Sequence, residues 1–195
     1  LTHTGAASSE VQAQAVLALT EVSRHNHENQ TTIADNGALS SLAALMRNGD
    51  SQAVKAEVAR SLWTLSENHP ENRVSIASAG AIQPLIAQLA QPSERAQTHA
   101  ANALASLAYG NTKNQAEIAG LLVAMLEEPP GGLPTAERAV SALWRIVGEN
   151  PENEAIIAAA GGAQPLVRLL RSKQARAKSY ALWSLSLSID ADNQK

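Results

Sequence analysis

An asparagine recurs about every 40 positions along this chain of 195 residues, and this long period constrains the fold more than any other sequence feature. The copies, with successive spacings of 43, 42, 39 and 40 residues, are Asn29, Asn72, Asn114, Asn153 and Asn193. In the first four copies an Ile stands four residues later, about one turn of an α-helix. A fixed period of this length is typical of chains built from stacked helical repeats.

Each period contains signals for three helices. Gly37, Gly80 and Gly161 predict the end of a short first helix, because glycine readily adopts the positive φ found there. Pro84 and Pro165 suit the first turn of a second helix, where the missing N–H costs nothing. A longer third helix follows, and two columns of aliphatic residues form its predicted core. These columns are Leu19, Leu62, Leu104, Leu143 and Leu182, then Val22, Leu65, Leu107, Ile146 and Leu185.

The helices of one such unit cannot bury their apolar faces alone, so the units must stack into one continuous core. We expect a single domain over residues 1–195, itself a fragment of a longer array. Its predicted parts are a leading third helix at 8–25, four repeats at 29–68, 72–110, 112–149 and 153–188, and the start of another repeat at 189–195. The repeat at 112–149 lacks the segment that carries the Gly and Pro signals, which predicts that its first two helices merge or that its first helix is lost.

Two strings carry a family resemblance. Residues 72–86 read Asn-Arg-Val-Ser-Ile-Ala-Ser-Ala-Gly-Ala-Ile-Gln-Pro-Leu-Ile, and residues 101–108 read Ala-Asn-Ala-Leu-Ala-Ser-Leu-Ala. Both resemble armadillo repeats, and the Gly-Ala-Ile-x-Pro-Leu phrase between short helices favours this family over HEAT repeats. The resemblance covers nearly the whole chain. It implies an all-α fold, a right-handed superhelical α-solenoid of about four armadillo repeats plus a partial leading one.

Composition and charge restrict the partners and the chemistry that this chain can have. The chain has no Cys, a net charge of −3 with both signs dispersed, and no apolar run near the roughly 20 residues that span a bilayer. We therefore expect no nucleic-acid partner, no membrane insertion and an intracellular location, cytoplasmic or nuclear. His25 and His27 come closest to a metal-binding pattern, but no third ligand stands at a suitable spacing. Since no catalytic motif is present, we predict a non-enzyme with no catalytic residue, cofactor or metal.

The chain has only three Trp and two Tyr, and all five fall on one predicted face of the third helices. Transferred from repeat to repeat, Trp63, Trp144 and Trp183 share one column. Tyr180 stands three residues before that column and Tyr109 four residues after it. Large aromatic side chains on a rigid surface are frequent anchors of protein interfaces. Packing of each Trp between adjacent repeats is an equally open alternative.

Polar residues accompany the aromatics on this face. Those predicted to contact a partner are Arg60, Asn102, Arg138 and Arg145, and the lining also carries Glu21, Glu57, Glu67 and His99. Exposed ion pairs contribute only about 0–1 kcal/mol, so we expect the aromatics to supply affinity and the charges to set register and selectivity. Arg138 and Arg145 could pair with an acidic ligand residue, and a solvated face is at least as good an interpretation.

The resemblance implies that this face is the concave groove in which armadillo proteins hold extended peptides or partner segments. Importin-α-type members repeat a Trp followed four residues later by an Asn that clamps the peptide backbone. The matching pairs here include Leu17 with Glu21 and Tyr180 with Ser184, so the clamp is absent. Import-receptor function is therefore in doubt. Catenin function is in doubt as well, because no strongly positive groove is predicted.

The sequence thus predicts a non-catalytic protein–protein interaction module that binds a peptide or partner segment in the groove through aromatic anchors. Two alternatives stay open: a structural spacer within a larger scaffold, and a non-catalytic part of a multidomain enzyme. Open repeat ends also predict self-association through exposed apolar faces.

Overall fold

The computed structural model describes residues 3–130, 132–147 and 152–171, together with the single residues 178 and 182. Within these residues every regular element is an α-helix. The chain's internal contacts divide it into two compact units, Leu1–Asn111 and Thr112–Lys195, here called unit 1 and unit 2.

Unit 1 is built from three long helices and two pairs of short ones. In chain order these helices are α1 His3–Ser23, α2 His27–Asp35, α3 Ala38–Asn48, α4 Gln52–Ser66, α5 Pro70–Ser78, α6 Ile82–Gln88 and α7 Glu94–Ala108. The long helix α4 packs against both α1 and α7. The pairs α2–α3 and α5–α6 stand where the sequence predicts first and second helices.

The breaks between these helices follow local backbone chemistry. Gly37 and Gly80 each have φ +76°, a left-handed conformation that glycine adopts without a steric penalty, and each stands between a first and a second helix. Ser51 and Ser93 cap the N-termini of α4 and α7 by accepting a hydrogen bond from a backbone N–H. The predicted glycine stops and three-helix pattern are therefore confirmed in unit 1.

The repeated asparagine joins one repeat to the next. Asn29 donates its side-chain N–H to the carbonyl oxygen of Val22 at 2.7 Å, and Asn72 donates to that of Leu65 at 2.8 Å. Each bond satisfies a carbonyl in the last turn of a long helix, which has no partner within its own helix. In these two repeats the asparagine therefore has a structural role.

Unit 2 departs from the three-helix pattern in its first repeat. Its described helices are α8 Thr112–Glu127, α9 Leu133–Val147, α10 Glu152–Ala159 and α11 Ala163–Leu170. The single helix α8 replaces a first and second pair, which confirms the predicted merger. Gly161 has φ +80° between α10 and α11, as expected for the next repeat. The third helix predicted after α11 lies outside the described residues, except for Lys178 and Leu182.

The aliphatic columns form most of the core. Five of their described third-helix residues have no measurable exposure: Leu62, Leu65, Leu104, Leu107 and Leu143. Ile146 of α9 is buried as well. Three predicted core positions are wrong, because Leu19 is only half-buried, Val22 is 56% exposed and Leu182 is 58% exposed.

The error in α1 has a structural cause. The buried residues of α1 are Val16, Thr20 and Ser23, and its main contacts are with α4 and α2. By contrast, α4 contacts α3 as well as α1 and α7, so nearly its whole circumference is covered. The column that is core in α4 is therefore uncovered in α1.

Candidate partner-binding surface

The three long helices of unit 1 present one side on which the predicted polar and aromatic residues gather. We call this surface the third-helix face of unit 1. Its residues are Leu17 and Glu21 of α1, Glu57, Arg60, Trp63 and Thr64 of α4, Glu67 at the end of α4, and Arg95, His99, Asn102 and Ser106 of α7, with Tyr109 at the end of α7. Helical spacings of three and four residues align them along each helix.

Charged side chains on this face link the three long helices. Arg60 places a guanidinium nitrogen 2.8 Å from a carboxylate oxygen of Glu21 in α1 and its Nε 3.6 Å from Oε2 of Glu57. Glu57 also pairs with Arg95 of α7. The Glu57 side chain is 8% exposed and that of Arg60 is 20% exposed, so both charged side chains are largely buried. Oε2 of Glu57 and Nε of Arg60 are buried without a hydrogen bond from the described protein.

His99 lies beside this network. Burial lowers the pKa of His99, and the positive charge of Arg95 lowers it further, while Glu57 opposes both. Its Nδ1 is buried and finds no hydrogen-bond partner among the described residues. At neutral pH the His99 imidazole is therefore neutral, and it lies beside the paired charges of Glu57, Arg60 and Arg95.

Trp63 is half-buried on α4, between the charged network and the end of the helix. Its carbonyl oxygen accepts a hydrogen bond from the Ser66 hydroxyl at 2.9 Å, and that hydroxyl also contacts the Ser106 hydroxyl at 2.8 Å. The backbone around Trp63 is thus tied to α7. The Trp63 side chain is partly exposed, and its role as an anchor stays a prediction.

The Arg73 side chain packs against Tyr109. The Arg73 guanidinium lies 5.0 Å from the centre of the Tyr109 ring and donates a hydrogen bond to the Tyr109 carbonyl at 3.0 Å. A cation over an aromatic face is attracted by the ring's quadrupole. Tyr109 is 55% exposed, so this contact orients a ring that solvent still reaches.

In unit 2 the corresponding residues lie on α9. The predicted contacts on this helix are Arg138, Trp144 and Arg145. Trp144 is 40% exposed, whereas both arginines are half-buried. Nη1 of Arg138 donates a hydrogen bond to the Thr135 hydroxyl oxygen at 3.5 Å. Tyr180 and Trp183 lie outside the described residues.

Sequence reasoning missed the contacts of four residues. Arg95 completes the charged network and could have been found, because it stands one helical turn before His99 on the same face. Arg73 gives no such signal, since its contact with Tyr109 requires the fold. His27 and His69 stack with ring centroids 4.2 Å apart, and their spacing of 42 residues, one repeat, was the available clue.

The stacked imidazoles border a cleft of about 570 Å³ between α2, α3 and α5. His69 is buried, and its Nδ1 accepts from the Asn72 N–H at 3.4 Å as the N-cap of α5. Burial lowers the pKa of His69, with a smaller effect of the same sign from His27 and an opposing one from Glu71.

In the described part of the chain, no group of three or more His, Asp or Glu side chains is arranged to hold a metal ion. None of the described helices is long and apolar enough to cross a membrane.

Comparison with known proteins agrees with this architecture. The family model described as Armadillo/beta-catenin-like repeat matches residues 69–109 and 150–187. An engineered protein solved by the Northeast Structural Genomics Consortium is similar over 95% of this chain and 80% of its own, with a TM-score of 0.67 and 25% identity. The chain has an armadillo-repeat fold, and its two matched segments are armadillo repeats. Armadillo repeats are generally protein-interaction modules.

Designed armadillo repeat proteins are also similar to this chain. One of them, solved in complex with the peptide (KR)4, aligns over 89% of this chain and 74% of its own, with a TM-score of 0.64 and 25% identity. Computationally designed armadillo repeat proteins for modular peptide recognition align over the same shares, with a TM-score of 0.62 and 24% identity. A search of curated proteins finds no match.

Proposed function

We propose that this armadillo-repeat chain is a non-catalytic binding module whose third helices hold a peptide or partner segment by aromatic anchors. The observation that carries the proposal is the partial exposure of Trp63 and Trp144, which stand at equivalent positions of α4 and α9. An indole fixed on a rigid helix loses little conformational freedom on binding, so its apolar area contributes directly to affinity.

The charged residues fit a role in selecting the bound sequence. In unit 1, Arg60 is engaged by Glu21 and Glu57, and a ligand charge would have to compete with these pairs. The predicted roles of Asn102, Arg138 and Arg145 in contacting the partner stay part of this proposal, as do those of Tyr180 and Trp183.

The similar structures support peptide as the ligand class. One of them is a designed armadillo repeat protein in complex with a peptide. An extended peptide presents alternating side chains and backbone groups to a helix-lined surface, which suits anchors repeated once per repeat. An intracellular location, cytoplasmic or nuclear, belongs to the same proposal.

Selection from a displayed library of short random peptides tests the function directly. Peptides enriched on the folded chain are synthesised with a fluorescent label, and their affinity is measured by fluorescence anisotropy. We expect Trp144→Ala or Trp63→Phe to weaken binding about tenfold or more, which corresponds to about 1.4 kcal/mol. Trp63 is changed to Phe so that its packed side keeps an aromatic ring.

Val74→Ala is the matched control, because Val74 is a 51% exposed apolar residue on α5, away from the third-helix face. It should leave the affinity unchanged. If the selected peptides bind both Trp variants as tightly as the unaltered chain, the aromatic-anchor proposal is wrong. Failure to enrich any peptide over an unrelated helical protein would support the structural-spacer alternative.

A further inference from the structure

Arg73 is a buried arginine that lies outside the third-helix face. It stands on α5 and is 7% exposed. Its Nε donates a hydrogen bond at 3.1 Å to the carbonyl oxygen of Ser66, the last residue of α4. Its Nη1 donates at 3.0 Å to the carbonyl oxygen of Tyr109, which follows the last residue of α7. Carbonyl groups at a helix C-terminus carry partial negative charge, so these two bonds stabilise a buried cation.

The positions equivalent to Arg73 in neighbouring repeats carry glutamine. They are Gln30 of α2, 43 residues earlier, and Gln115 of α8, 42 residues later, and both are buried. Gln30 also bonds two carbonyl oxygens, that of Ser23 at 3.2 Å and that of Thr64 at 3.0 Å. A neutral glutamine is therefore sufficient to join two long helices, and the joint itself does not require the charge of Arg73.

The joint made by Arg73 differs from that of Gln30 in the residue that it reaches. Gln30 bonds Thr64, which lies within α4. Arg73 bonds Tyr109, which follows α7 at the position that Glu67 holds after α4. The guanidinium carbon of Arg73 also lies 5.0 Å from the centre of the Tyr109 ring, where the ring attracts a cation. One guanidinium thus contacts both the backbone and the ring of Tyr109.

Tyr109 stands where the chain leaves α7. Its φ of −59° and ψ of 119° end the helix, and Gly110 follows with φ +64°. The ring is 55% exposed, so contacts within the fold cover less than half of it. An aromatic side chain that rotates freely loses this freedom when a ligand binds, which weakens binding by about twofold to tenfold. A ring that the fold already holds avoids most of this loss.

We propose that Arg73 is a positioning residue for partner binding, which fixes the Tyr109 ring in the orientation that a ligand contacts. Arg73 is buried and acts through Tyr109 without contacting the ligand. The inference rests on the function proposed above, in which Tyr109 is one of the aromatic anchors. It adds a residue of a first helix to a binding surface formed by third helices.

Nuclear magnetic resonance of the full chain tests the orientation without a ligand. The chain has two tyrosines, so isotope-labelled tyrosine gives two sets of signals, and Tyr109→Phe assigns them. Three-bond couplings from the ring carbon Cγ to the backbone nitrogen and carbonyl carbon report the χ1 rotamer. We expect a single rotamer of Tyr109 in the unaltered chain and averaged couplings in Arg73→Gln. Glutamine is the replacement because it occupies the equivalent buried positions of α2 and α8.

A double-mutant cycle with the selected peptides tests the effect on binding. Fluorescence anisotropy measures the affinity of each variant. We expect Tyr109→Ala to weaken binding about tenfold and Arg73→Gln about threefold or more. In the Tyr109→Ala background, Arg73→Gln should cause no further loss, because its effect passes through the ring. A merely structural role of Arg73 would give the same loss in both backgrounds.

Arg47→Gln is the matched control. Arg47 of α3 donates a hydrogen bond to the carbonyl oxygen of Ala79, which follows α5, so this variant also removes a bond from an arginine to a carbonyl near a helix end. It should change neither the peptide affinity nor the Tyr109 couplings. Arg73→Lys is the second variant if Arg73→Gln does not fold. It should weaken binding as well, because a lysine ammonium lacks the fork of donors that bonds both carbonyl oxygens.

The outcomes separate this inference from the proposed function. Unchanged Tyr109 couplings in the Arg73 variants, unchanged affinity in Tyr109→Ala, or equal losses in the two backgrounds would overturn the inference. The proposed function stands in these cases if Trp63→Phe and Trp144→Ala still weaken binding. If no peptide is enriched, the proposed function fails and the role of Arg73 in binding fails with it.

Discussion

Equivalent positions of α4 in unit 1 and α9 in unit 2 serve different purposes. Trp63 and Trp144 stand 81 residues apart in the same column, as do Glu57 and Arg138. In α4 the Trp is half-buried and the Glu is a nearly covered member of an ion-pair network. In α9 the Trp is 40% exposed, and an arginine takes the place of the acid.

A position in a repeat column therefore determines the side of the helix from which a side chain projects, but not its burial or its charged neighbours. Helix α4 has a long helix on each side, α1 and α7, and both contribute charged partners to it. Its face is consequently part of the packing between helices. The equivalent surface is charge-compensated on α4, whereas α9 carries Arg138 and Arg145.

Removing the two indoles should give the largest contrast in stability. We expect Trp63→Ala to lower the free energy of unfolding by about 3 kcal/mol, because its side chain is half-buried, and Trp144→Ala to lower it by under about 1 kcal/mol, because its side chain is more exposed. Urea denaturation followed by circular dichroism measures both. Trp63→Phe should recover most of the loss. Equal losses for the two alanine variants would contradict the comparison between the units.

Much of this fold could be predicted, because the repeat signals act locally. Gly80 ends a helix through its own backbone conformation, and Asn72 bonds a carbonyl only seven residues away. The merger in α8 was visible as a missing segment. Val22 was misplaced because its burial depends on helices that cover α4 but not α1, and no pattern within residues 8–25 carries that information.

The candidate site was predicted less completely than the fold. The shared column of Trp63 and Trp144 follows from spacing, and both lie at least partly exposed. Their different environments depend on contacts between residues in separate repeats, such as Arg60 with Glu21, 39 residues apart. Spacing places such residues on one face, but only the packing of α1 on α4 brings their charges together.

Breaking the ion-pair network of unit 1 should have an intermediate effect. We expect Glu57→Ala to lower the free energy of unfolding by about 2 kcal/mol, because it leaves the largely buried Arg60 without its neighbour. The contribution of Arg95 is smaller, since its side chain is 60% exposed and screened by solvent. Urea denaturation at low and high salt measures the loss and its electrostatic share.

Arg138→Ala is the matched change in unit 2, at the equivalent position of α9. We expect it to cost less than about 1 kcal/mol, because this arginine is only half-buried. Glu57→Gln keeps the shape of the side chain and separates the loss of charge from the loss of packing. If Glu57→Ala is no more destabilising than Arg138→Ala, the network does not stabilise unit 1.

The smallest expected effect concerns His99, which occupies the same column of α7 as Glu57 in α4 and Arg138 in α9. Burial and Arg95 lower its pKa below the ordinary value of 6.5, so the folded chain resists the proton that the unfolded chain accepts. The stability that His99 contributes is therefore fully present above pH 6.5 and is lost as the pH falls through its folded pKa. Protonation would add a positive charge beside Arg95 and near Arg60, partly balanced by Glu57, and would bring this column of unit 1 closer to the basic character of α9. Urea denaturation at pH 7 and at pH 5 measures this loss. We expect the free energy of unfolding to fall by about 1 kcal/mol or less between the two pH values, and to fall by less in His99→Gln. His69→Gln should remove a separate part, because burial also lowers the pKa of His69. A pH dependence that neither variant changes would show that the histidines of unit 1 titrate alike in the folded and unfolded chain.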